Sequence, residues 1–300
     1  MQHRESAATA ETPPCGKICS YDWDYTENGK FWPLLYKALN CRNTLYRMTN
    51  SPYPVIIPPM RHSPENLAEF TLYGQCPIRR YRYFDESKGG THAHFSAKYF
   101  KGLLAQDHVH NINTYRDGML LKTVLKKYIG IIQGKRAAVI GTKRPWLEAM
   151  LVNLGVMHIT TIEYAKLTID DDHITTATPY MIAEQFNSGL AVPFDTVVSY
   201  SSVEHSGLGR YGDPLTPYGD LEATAQIWCM VKPGGHFILA VPESRNRSMC
   251  GISWNAGRWY GTVRLQHLTA NWLVLDVFGT ISTDPHGIYI LQKIDTTPVS

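Results

Sequence analysis

The sequence has no long hydrophobic run. Although 44% of its 300 residues are hydrophobic, no window approaches the roughly 18 consecutive apolar residues that a membrane-spanning helix needs. The N-terminal stretch MQHRESAATAETPP also lacks the apolar core of a secretory signal peptide. We therefore expect a soluble chain with no membrane segment, located in the cytoplasm or, if a native anchor is missing, in the lumen of the secretory pathway.

The sequence also has no large excess of positive or negative charge. The 29 Lys and Arg residues and the 26 Asp and Glu residues are interspersed and give a formal net charge of +3. No basic run is long enough to bind nucleic acid or an acidic lipid surface. We therefore expect no nucleic-acid partner, and the composition leaves the oligomeric state open.

Cysteine is infrequent and irregularly spaced. The six cysteines are Cys15, Cys19, Cys41, Cys76, Cys229 and Cys250. The first two have neither the tight spacing nor the second pair of a zinc site. Disulfides in a secreted protein and reduced thiols in a cytosolic protein are both open alternatives. Asn246 begins the tripeptide Asn-Arg-Ser, which is a glycosylation acceptor only if the chain passes through the secretory pathway.

The first third of the chain has little regular pattern. Residues 1–20 are polar and contain proline, which predicts a mobile N-terminal segment. Residues 21–114 are rich in aromatic residues and are broken by proline and glycine, which indicates an irregular cap on the substrate side. Within it, His92 and His94 have the spacing to face one side of a strand and bind a metal, although paired loop histidines are more often ordinary surface residues.

A regular alternation of strands and helices begins near residue 115. An amphipathic helix is predicted at 115–129, strands at 136–142, 158–164, 173–179, 194–202 and 232–242, and helices at 145–155, 179–187 and 220–231. The stretches NWLVLDVFGT and GIYILQK predict an antiparallel hairpin at the edge. This alternation is typical of a doubly wound, mainly parallel α/β sheet, so we assign residues 115–300 to one α/β domain.

Open α/β sheets bind ligands beyond the carboxyl ends of their strands, where the strand order reverses. The residues that follow the first, second and fourth predicted strands are Gly141, Thr142, Glu163, Tyr164, Ser201, Ser202, Glu204 and His205. Glu163 lies about twenty residues past the first glycine, where an acid can accept hydrogen bonds from both hydroxyls of a ribose. A solvated acid in a turn is the alternative.

The order AAVIGT, TTIEY, FDTVVSYSSVEHSG and VKPGGHFILAVP resembles the class I S-adenosylmethionine-dependent methyltransferase fold over residues 115–294. More specifically, SSVEHSGLGRYGDPLTPYGDLEA and WNAGRWYGTVRL resemble the DUF268 family, a methyltransferase-like group. The resemblance implies a Rossmann-like sheet and S-adenosylmethionine as the cofactor. It places Gly141 at the amino-acid part of the cofactor and Glu163 at the ribose. The expected cofactor site is completed by Thr142, Tyr164, Tyr200, Ser201 and Ser202.

The loop after the first strand departs from the methyltransferase pattern. In VIGTKRPW a single glycine stands where methyltransferases usually carry several, and Pro145 stiffens the loop, so it cannot follow a cofactor in the usual way. A binding module without catalytic activity is therefore an alternative. Lys143 and Arg144 at the helix start permit a third interpretation, a nucleotide-sugar enzyme whose diphosphate they hold, but solvent-facing side chains are the simpler one.

The loop SSVEHSGLGRYGDP would cover the reacting methyl group. A hydroxyl acceptor gains from a general base, for which His205 is the first choice, with Glu204 or Asp213 orienting it. Arg210 belongs to the same group of candidate catalytic residues; alternatively, Arg210 and Asp213 pair and tie the loop down. We therefore expect an O-methyltransferase that acts on a small molecule or a glycan.

A metal is possible at this loop but is not favoured. The pair Glu204 and His205 resembles ubiquinone-type and RNA-end O-methyltransferases, in which an acid and a histidine bind a divalent metal that activates the acceptor. His236 and His267 do not clearly repeat the second ligand cluster of those enzymes. We therefore favour base catalysis without a metal.

The stretch WNAGRWYG supplies candidate acceptor-binding residues. Trp254 and Tyr260 have flat apolar faces of the kind that stack on sugar rings, and Arg258 can bind a carboxylate or a phosphate. Packing between the cap and the sheet is the alternative for this aromatic cluster.

Overall fold

The computed structural model describes residues 41–49, 60–61, 64–86, 93–106, 118–246, 248–279 and 286–293. The predicted mobile segment and His92 lie outside these residues, as do Cys15 and Cys19. Within the described ranges, no helix is both long enough and apolar enough to cross a bilayer.

The helices and strands follow one another in an order close to the predicted one. In chain order they are α1 (Cys41–Thr49), α2 (Pro64–Phe70), β1 (Ile78–Tyr81), β2 (Ala93–Phe95), α3 (Ala97–Ala105), α4 (Gly118–Lys127), β3 (Arg136–Ile140), α5 (Trp146–Asn153), β4 (His158–Ile162), β5 (Leu167–Ile169), β6 (Ile174–Ala177), α6 (Pro179–Asn187), β7 (Phe194–Tyr200), α7 (Gly219–Met230), β8 (Val231–Pro242), β9 (Gly251–Trp254), β10 (Gly257–Trp259), α8 (Thr262–Leu268), β11 (Trp272–Gly279) and β12 (His286–Lys293).

The central sheet has seven strands in the order β11, β12, β8, β7, β3, β4, β6. The five strands from β8 to β6 are parallel, whereas β12 is antiparallel to β8 and β11 is antiparallel to β12. The predicted doubly wound sheet with its antiparallel C-terminal hairpin is therefore confirmed. The strands that helices cover on both faces are the continuous apolar runs of the sequence, such as Phe237 to Val241 of β8, which are fully buried.

The strand order of the sheet reverses at β3. From β3 the chain adds β4 and β6 on one side, and it then returns to add β7 and β8 on the other side. The loops that leave β3 and β7 therefore diverge at their carboxyl ends. This divergence opens the crevice in which such sheets bind ligands.

The N-terminal cap has more regular structure than its sequence indicates, because α1, α2, α3, β1 and β2 all lie within residues 41–105. Leu45 and Leu72 join the core on one face of the sheet, together with α6 and α7. Phe100 and Leu103 of α3 join the core on the other face, together with α4 and α5. Nothing in this packing marks residue 115 as a domain boundary, and the assignment of that boundary stays a prediction.

Two disulfides tie the cap to the α/β domain. Cys41 of α1 is bonded to Cys229 of α7, and Cys76 is bonded to Cys250 just before β9. The two bonds span 188 and 174 residues of sequence. Among the described residues no cysteine is free. For these four cysteines the structure therefore favours the disulfide alternative over reduced thiols.

Candidate functional site

A cavity of about 760 Å³ opens at the carboxyl ends of β3, β4 and β7. Its volume lies within the range of roughly 300–1,000 Å³ that is usual for small-molecule sites. Nine of the candidate cofactor and catalytic residues line it: Gly141, Thr142, Glu163, Tyr164, Tyr200, Ser201, Ser202, His205 and Asp213. The fold thus brings all the candidate cofactor residues and two of the candidate catalytic residues to one cavity.

Gly141 forms the turn after β3. Its φ of +74° is a left-handed conformation that favours glycine, and a β-carbon built on it would overlap Oγ of Ser202. Its N–H donates to the carbonyl oxygen of Ile162 over 2.9 Å, which holds the turn against the end of β4. The space on the β-carbon side of Gly141 is therefore filled by the Ser202 side chain, which the sequence analysis did not expect.

Glu163 holds the two strand-end turns together. Its Oε2 accepts the N–H of Thr142 over 2.8 Å, and its Oε1 accepts the N–H of Tyr164 over 2.7 Å. Burial raises the pKa of this carboxyl, and the backbone donors oppose the rise. The backbone N–H groups of Thr142, Tyr164 and Ala165 occupy three of the four lone pairs of the carboxylate, so this cavity-lining group keeps one acceptor site for a ligand.

A second acid, Glu148, lies behind the same turn and was missed in the sequence. It is on α5 and is 0% exposed. Its Oε1 accepts the hydroxyl of Thr161 over 2.9 Å, and its Oε2 accepts the hydroxyl of Thr142 over 3.2 Å. Burial raises its pKa to about 7. The only available signal was an acid inside the otherwise apolar stretch WLEAMLV.

The loop after β7 begins with a strained residue. Ser201 has a φ of +49°, a left-handed conformation that costs a non-glycine residue roughly 1–3 kcal/mol and is found most often at functional sites. Its N–H donates to the carbonyl oxygen of Ala240 over 2.9 Å, and its hydroxyl donates to Oε1 of Glu204 over 2.6 Å. These bonds hold the start of the loop beside the cavity.

His205 presents a defined tautomer. Its Nδ1 donates to the carbonyl oxygen of Ala256 over 2.6 Å, so the ring proton is on Nδ1 and the lone pair is on Nε2. Burial, supported by the charge of Arg210, lowers the pKa of this imidazole to about 4. The ordinary pKa of histidine, which made His205 the first choice for the base, does not hold here. The structure shows instead a group that is neutral throughout the physiological range.

Glu204 lies next to His205 but behind the cavity wall. It is buried, and its Oε1 is 3.5 Å from Nε2 of His205. Its Oε2 accepts no hydrogen bond from the described residues. Burial raises the pKa of the carboxyl to about 7. Glu204 therefore touches no cavity ligand directly but is close enough to influence the charge of His205.

Arg210 and Asp213 do not pair with each other, so that alternative is wrong. Arg210 bonds Glu86 of the cap through Nε at 3.1 Å and through Nη2 at 2.5 Å. Asp213 accepts the N–H groups of Gly207 and Gly209 at 2.7 and 3.0 Å. Asp213 thus shapes the loop from inside, whereas Arg210 fixes the loop to the cap.

The three candidate acceptor-binding residues do not line the cavity. Trp254, Arg258 and Tyr260 are all buried beneath the loop. Nη1 of Arg258 donates to the carbonyl oxygens of Ser206 and Glu204 over 2.6 and 3.2 Å. Their positions therefore match the packing alternative, and we do not include them in the proposed site.

A buried ion cluster that the sequence analysis missed supports this packing. Asp220 accepts the hydroxyl of Tyr260 over 2.9 Å and two guanidinium donors of Arg264 over 2.8 and 2.6 Å. Although burial raises the pKa of Asp220, the charges of Arg258 and Arg264 bring it down to about 2. The cluster stays ionised and anchors the loop from below.

The charge of the cavity lining is predominantly acidic. The acidic side chains are Asp85, Glu86, Glu163 and Asp213, and the basic ones are Lys143 and Arg144. Lys143 forms an ion pair with Glu86. Since acidic side chains outnumber basic ones, the lining has no excess of positive charge to attract a diphosphate.

A metal site is not apparent in the described part of the chain. No group of three or more His, Cys, Asp and Glu side chains there is placed to hold an ion. His94 is exposed on β2 and contacts Thr168 and Asp170 at 3.2 Å each. Neither His236 nor His267 lines the cavity.

One family model, described as a Caenorhabditis protein of unknown function, DUF268, matches residues 134–297, which is more than half of the chain. The chain belongs to the DUF268 family. The matched residues of this DUF268 protein run from just before β3 to just beyond β12, and so include every strand of the central sheet. No curated protein sequence matches it.

Several solved structures, methyltransferases among them, are distantly similar to the DUF268 chain. The N-methyltransferase NodS from Bradyrhizobium japonicum WM9, solved with S-adenosyl-L-homocysteine, is 13% identical over 66% of this chain and 98% of its own, with a TM-score of 0.42. An S-adenosylmethionine-dependent methyltransferase from Mesorhizobium loti is 11% identical over 57% of this chain and 96% of its own, with a TM-score of 0.42. TehB from Haemophilus influenzae is 13% identical over 65% of this chain and 66% of its own, with a TM-score of 0.41. Similarities with so low a sequence identity and TM-score do not assign an activity or a substrate to this chain.

Proposed function

We propose that this DUF268 protein is an S-adenosylmethionine-dependent O-methyltransferase that acts on a hydroxyl of a small molecule or a glycan. One observation carries the proposal: the Glu163 carboxylate and the neutral His205 imidazole line the same cavity at the strand ends. The first is the type of group that binds a ribose, and the second is the type that accepts a proton.

The residues of the cavity fit the cofactor. Glu163 keeps an acceptor site for a ribose hydroxyl. Apolar side chains for a flat adenine come from Trp146, Leu147 and Ile162. The acidic lining suits the positive charge of a sulfonium group. When bound, S-adenosylmethionine supplies an electrophilic methyl group on that sulfur.

The chain's own residues would move the acceptor proton. The lone pair on Nε2 of His205 accepts the proton of the acceptor hydroxyl, while the Nδ1–H stays bonded to Ala256. The imidazolium that forms then lies 3.5 Å from Oε1 of Glu204. Above about pH 7 that carboxyl is ionised and stabilises the imidazolium, which offsets the weak basicity that burial gives to His205.

The cap supports an acceptor on the open side of the cavity. Three residues of the cap, Asp85, Glu86 and Ala93, also line the cavity. The Tyr211 ring packs edge-on against His205 with 5.4 Å between ring centroids, and it offers an aromatic surface beside the proposed base. Such a surface, together with the acidic groups, is suited to a polyhydroxylated acceptor.

One observation favours a second candidate, a binding module without catalytic activity. Ser202 fills the space in front of Gly141, and the turn has a single glycine. If this contact excludes S-adenosylmethionine, the cavity binds a different small cationic ligand and catalyses no methyl transfer. The acidic lining does not favour the third alternative, a nucleotide-sugar enzyme.

A transfer assay tests the proposal. The chain is incubated with S-adenosylmethionine and a panel of glycans and small hydroxylated compounds, and release of S-adenosylhomocysteine is measured. We expect turnover with at least one hydroxyl acceptor, and a His205→Gln variant with a lower kcat and an unchanged KM for the methyl donor. Donor binding without turnover on any acceptor would support the non-catalytic module instead.

A further inference from the structure

An exposed asparagine lies in the bend that follows β8. Asn246 and Ser248 are both exposed, and they are the first and third residues of an Asn-Arg-Ser tripeptide. Oδ1 of Asn246 accepts the hydroxyl of Ser248 over 2.7 Å and the N–H of Ser248 over 3.2 Å. The two side chains that an N-glycosylation acceptor requires are therefore together on the surface.

The surroundings of Asn246 leave room for a large substituent. Neither Asn246 nor Ser248 lines the cavity. The bend is fixed at both ends, because Glu243 bridges to Tyr260 and Cys250 is bonded to Cys76. A group on Asn246 therefore projects from a held loop without displacing core side chains.

The disulfides point to the compartment in which this modification occurs. Disulfides form and persist in oxidising compartments and are rare in the cytosol. The Cys41–Cys229 disulfide joins α1 to α7. In the Cys76–Cys250 disulfide, Cys250 lies two residues after Ser248. Oxidised cysteines and an exposed acceptor asparagine are independent features that agree on the same compartment.

We propose that the chain folds in the lumen of the secretory pathway and carries an N-linked oligosaccharide on Nδ2 of Asn246. The co-substrate is a lipid-linked oligosaccharide diphosphate. A bond forms between Nδ2 and C1 of the first sugar, and the bond from C1 to the diphosphate oxygen breaks. The lipid diphosphate leaves, and one amide proton passes to a base of the transferring enzyme. The proposal does not depend on the methyltransferase assignment.

The test uses the full chain expressed in cultured animal cells behind a cleavable secretory leader. Electrophoretic mobility is compared before and after treatment with a peptide N-glycosidase. We expect one step in mobility, with Asn246 converted to aspartate in the mass spectrum of the digested protein. The step is lost in Asn246→Gln and Ser248→Ala, and it is retained in Ser248→Thr.

Asn187→Gln is the matched control, because Asn187 is also exposed and followed by serine but has glycine at the third position. This variant should keep the mobility step. A leader-directed chain that is secreted with both disulfides formed, but without sugar on Asn246, would overturn the assignment of the site. A leader-directed chain that is secreted and folded but has its four paired cysteines reduced would overturn the assignment of the compartment.

Discussion

The N–H of Thr142 donates to Oε2 of Glu163 over 2.8 Å, while the Thr142 hydroxyl donates to Glu148 over 3.2 Å. One residue of the turn after β3 is therefore bonded both to the end of β4 and to the interior of α5. The carboxyls of Glu148 and Glu163 are both buried, and burial raises the pKa of each. Thr142 and the two glutamates therefore form one hydrogen-bonded group, and the pKa values of the two carboxyls can be measured.

The protonation of Glu148 predicts a dependence of stability on pH. Its pKa is about 7 in the folded chain, above the 4.5 of an ordinary glutamate, so between these values the folded state binds more protons. The free energy of unfolding therefore falls as pH rises through this window, by about 3 kcal/mol from this group. The Glu148→Gln variant lacks this titrating group. The free energy of unfolding of the variant minus that of the unmodified chain should therefore increase between about pH 5 and about pH 8.

Urea unfolding across that pH range measures the difference. Because Glu204 and His205 titrate in both proteins, their contributions cancel when the two curves are compared. Glu184→Gln on the exposed face of α6 is the control and should run parallel to the unmodified chain. A Glu148→Gln curve that is also parallel would show that Glu148 is ionised in the folded protein at neutral pH.

The conformation of Gly141 predicts a costly substitution. Gly141→Ala introduces a β-carbon at a φ of +74° and onto Oγ of Ser202, so we expect the free energy of unfolding to fall by more than about 1 kcal/mol. Adding Ser202→Gly should restore part of the loss, since it relieves the overlap but not the backbone strain. Gly102→Ala, in an open position on α3, should instead stabilise the chain by up to about 1 kcal/mol. Equal effects at the two glycines would contradict this account.

Glu204 predicts the pH profile of the proposed reaction. As pH rises through about 7, this carboxyl ionises and becomes able to stabilise the imidazolium of His205. We therefore expect kcat to rise through this range. Glu204→Gln should remove the inflection and lower kcat by roughly tenfold or more, with KM unchanged, because Glu204 acts through His205. A Glu204→Gln enzyme that keeps the inflection would assign it to another group.

The disulfides predict a sensitivity to reduction. Crosslinks that close loops of this length typically contribute about 2–5 kcal/mol, chiefly by restricting the unfolded chain. Cys41→Ser with Cys229→Ser should therefore lower the urea midpoint substantially, and a reductant should lower that of the unmodified chain. In a variant that lacks all six cysteines of the sequence, a reductant should have no effect on the midpoint. An unmodified chain that is insensitive to reductant would contradict the two pairings.

The sheet and the position of its cavity could be predicted from the sequence because both depend on local patterns. Apolar runs ending in glycine or acid placed Gly141 and Glu163 at strand ends, and parallel strands bring their ends to one edge. The polar partners could not be predicted in this way. Arg210 and Glu86 are 124 residues apart, and Arg264 and Asp220 are 44 apart, so no local pattern links them.

The chemistry of the loop was predictable only in part for the same reason. The residue types in SSVEHSGLGRYGDP marked the loop, but the pKa of His205 depends on burial against residues some fifty positions further along. Likewise, Arg258 looks like a ligand-binding arginine in the sequence. Only the packing of β9 and β10 beneath the loop shows that its Nη1 donates to carbonyl oxygens of the chain.

Calorimetric titration with S-adenosylhomocysteine tests the central claim most directly. We expect saturable binding to the unmodified chain, and binding about 10- to 100-fold weaker to Glu163→Ala and Glu163→Gln, since hydrogen bonds to a charged acceptor contribute about 1.5–3 kcal/mol. Asp172→Asn, which removes an exposed acid far from the lining, should bind like the unmodified chain. No heat and no thermal shift with the folded, unmodified chain at millimolar ligand would contradict the account.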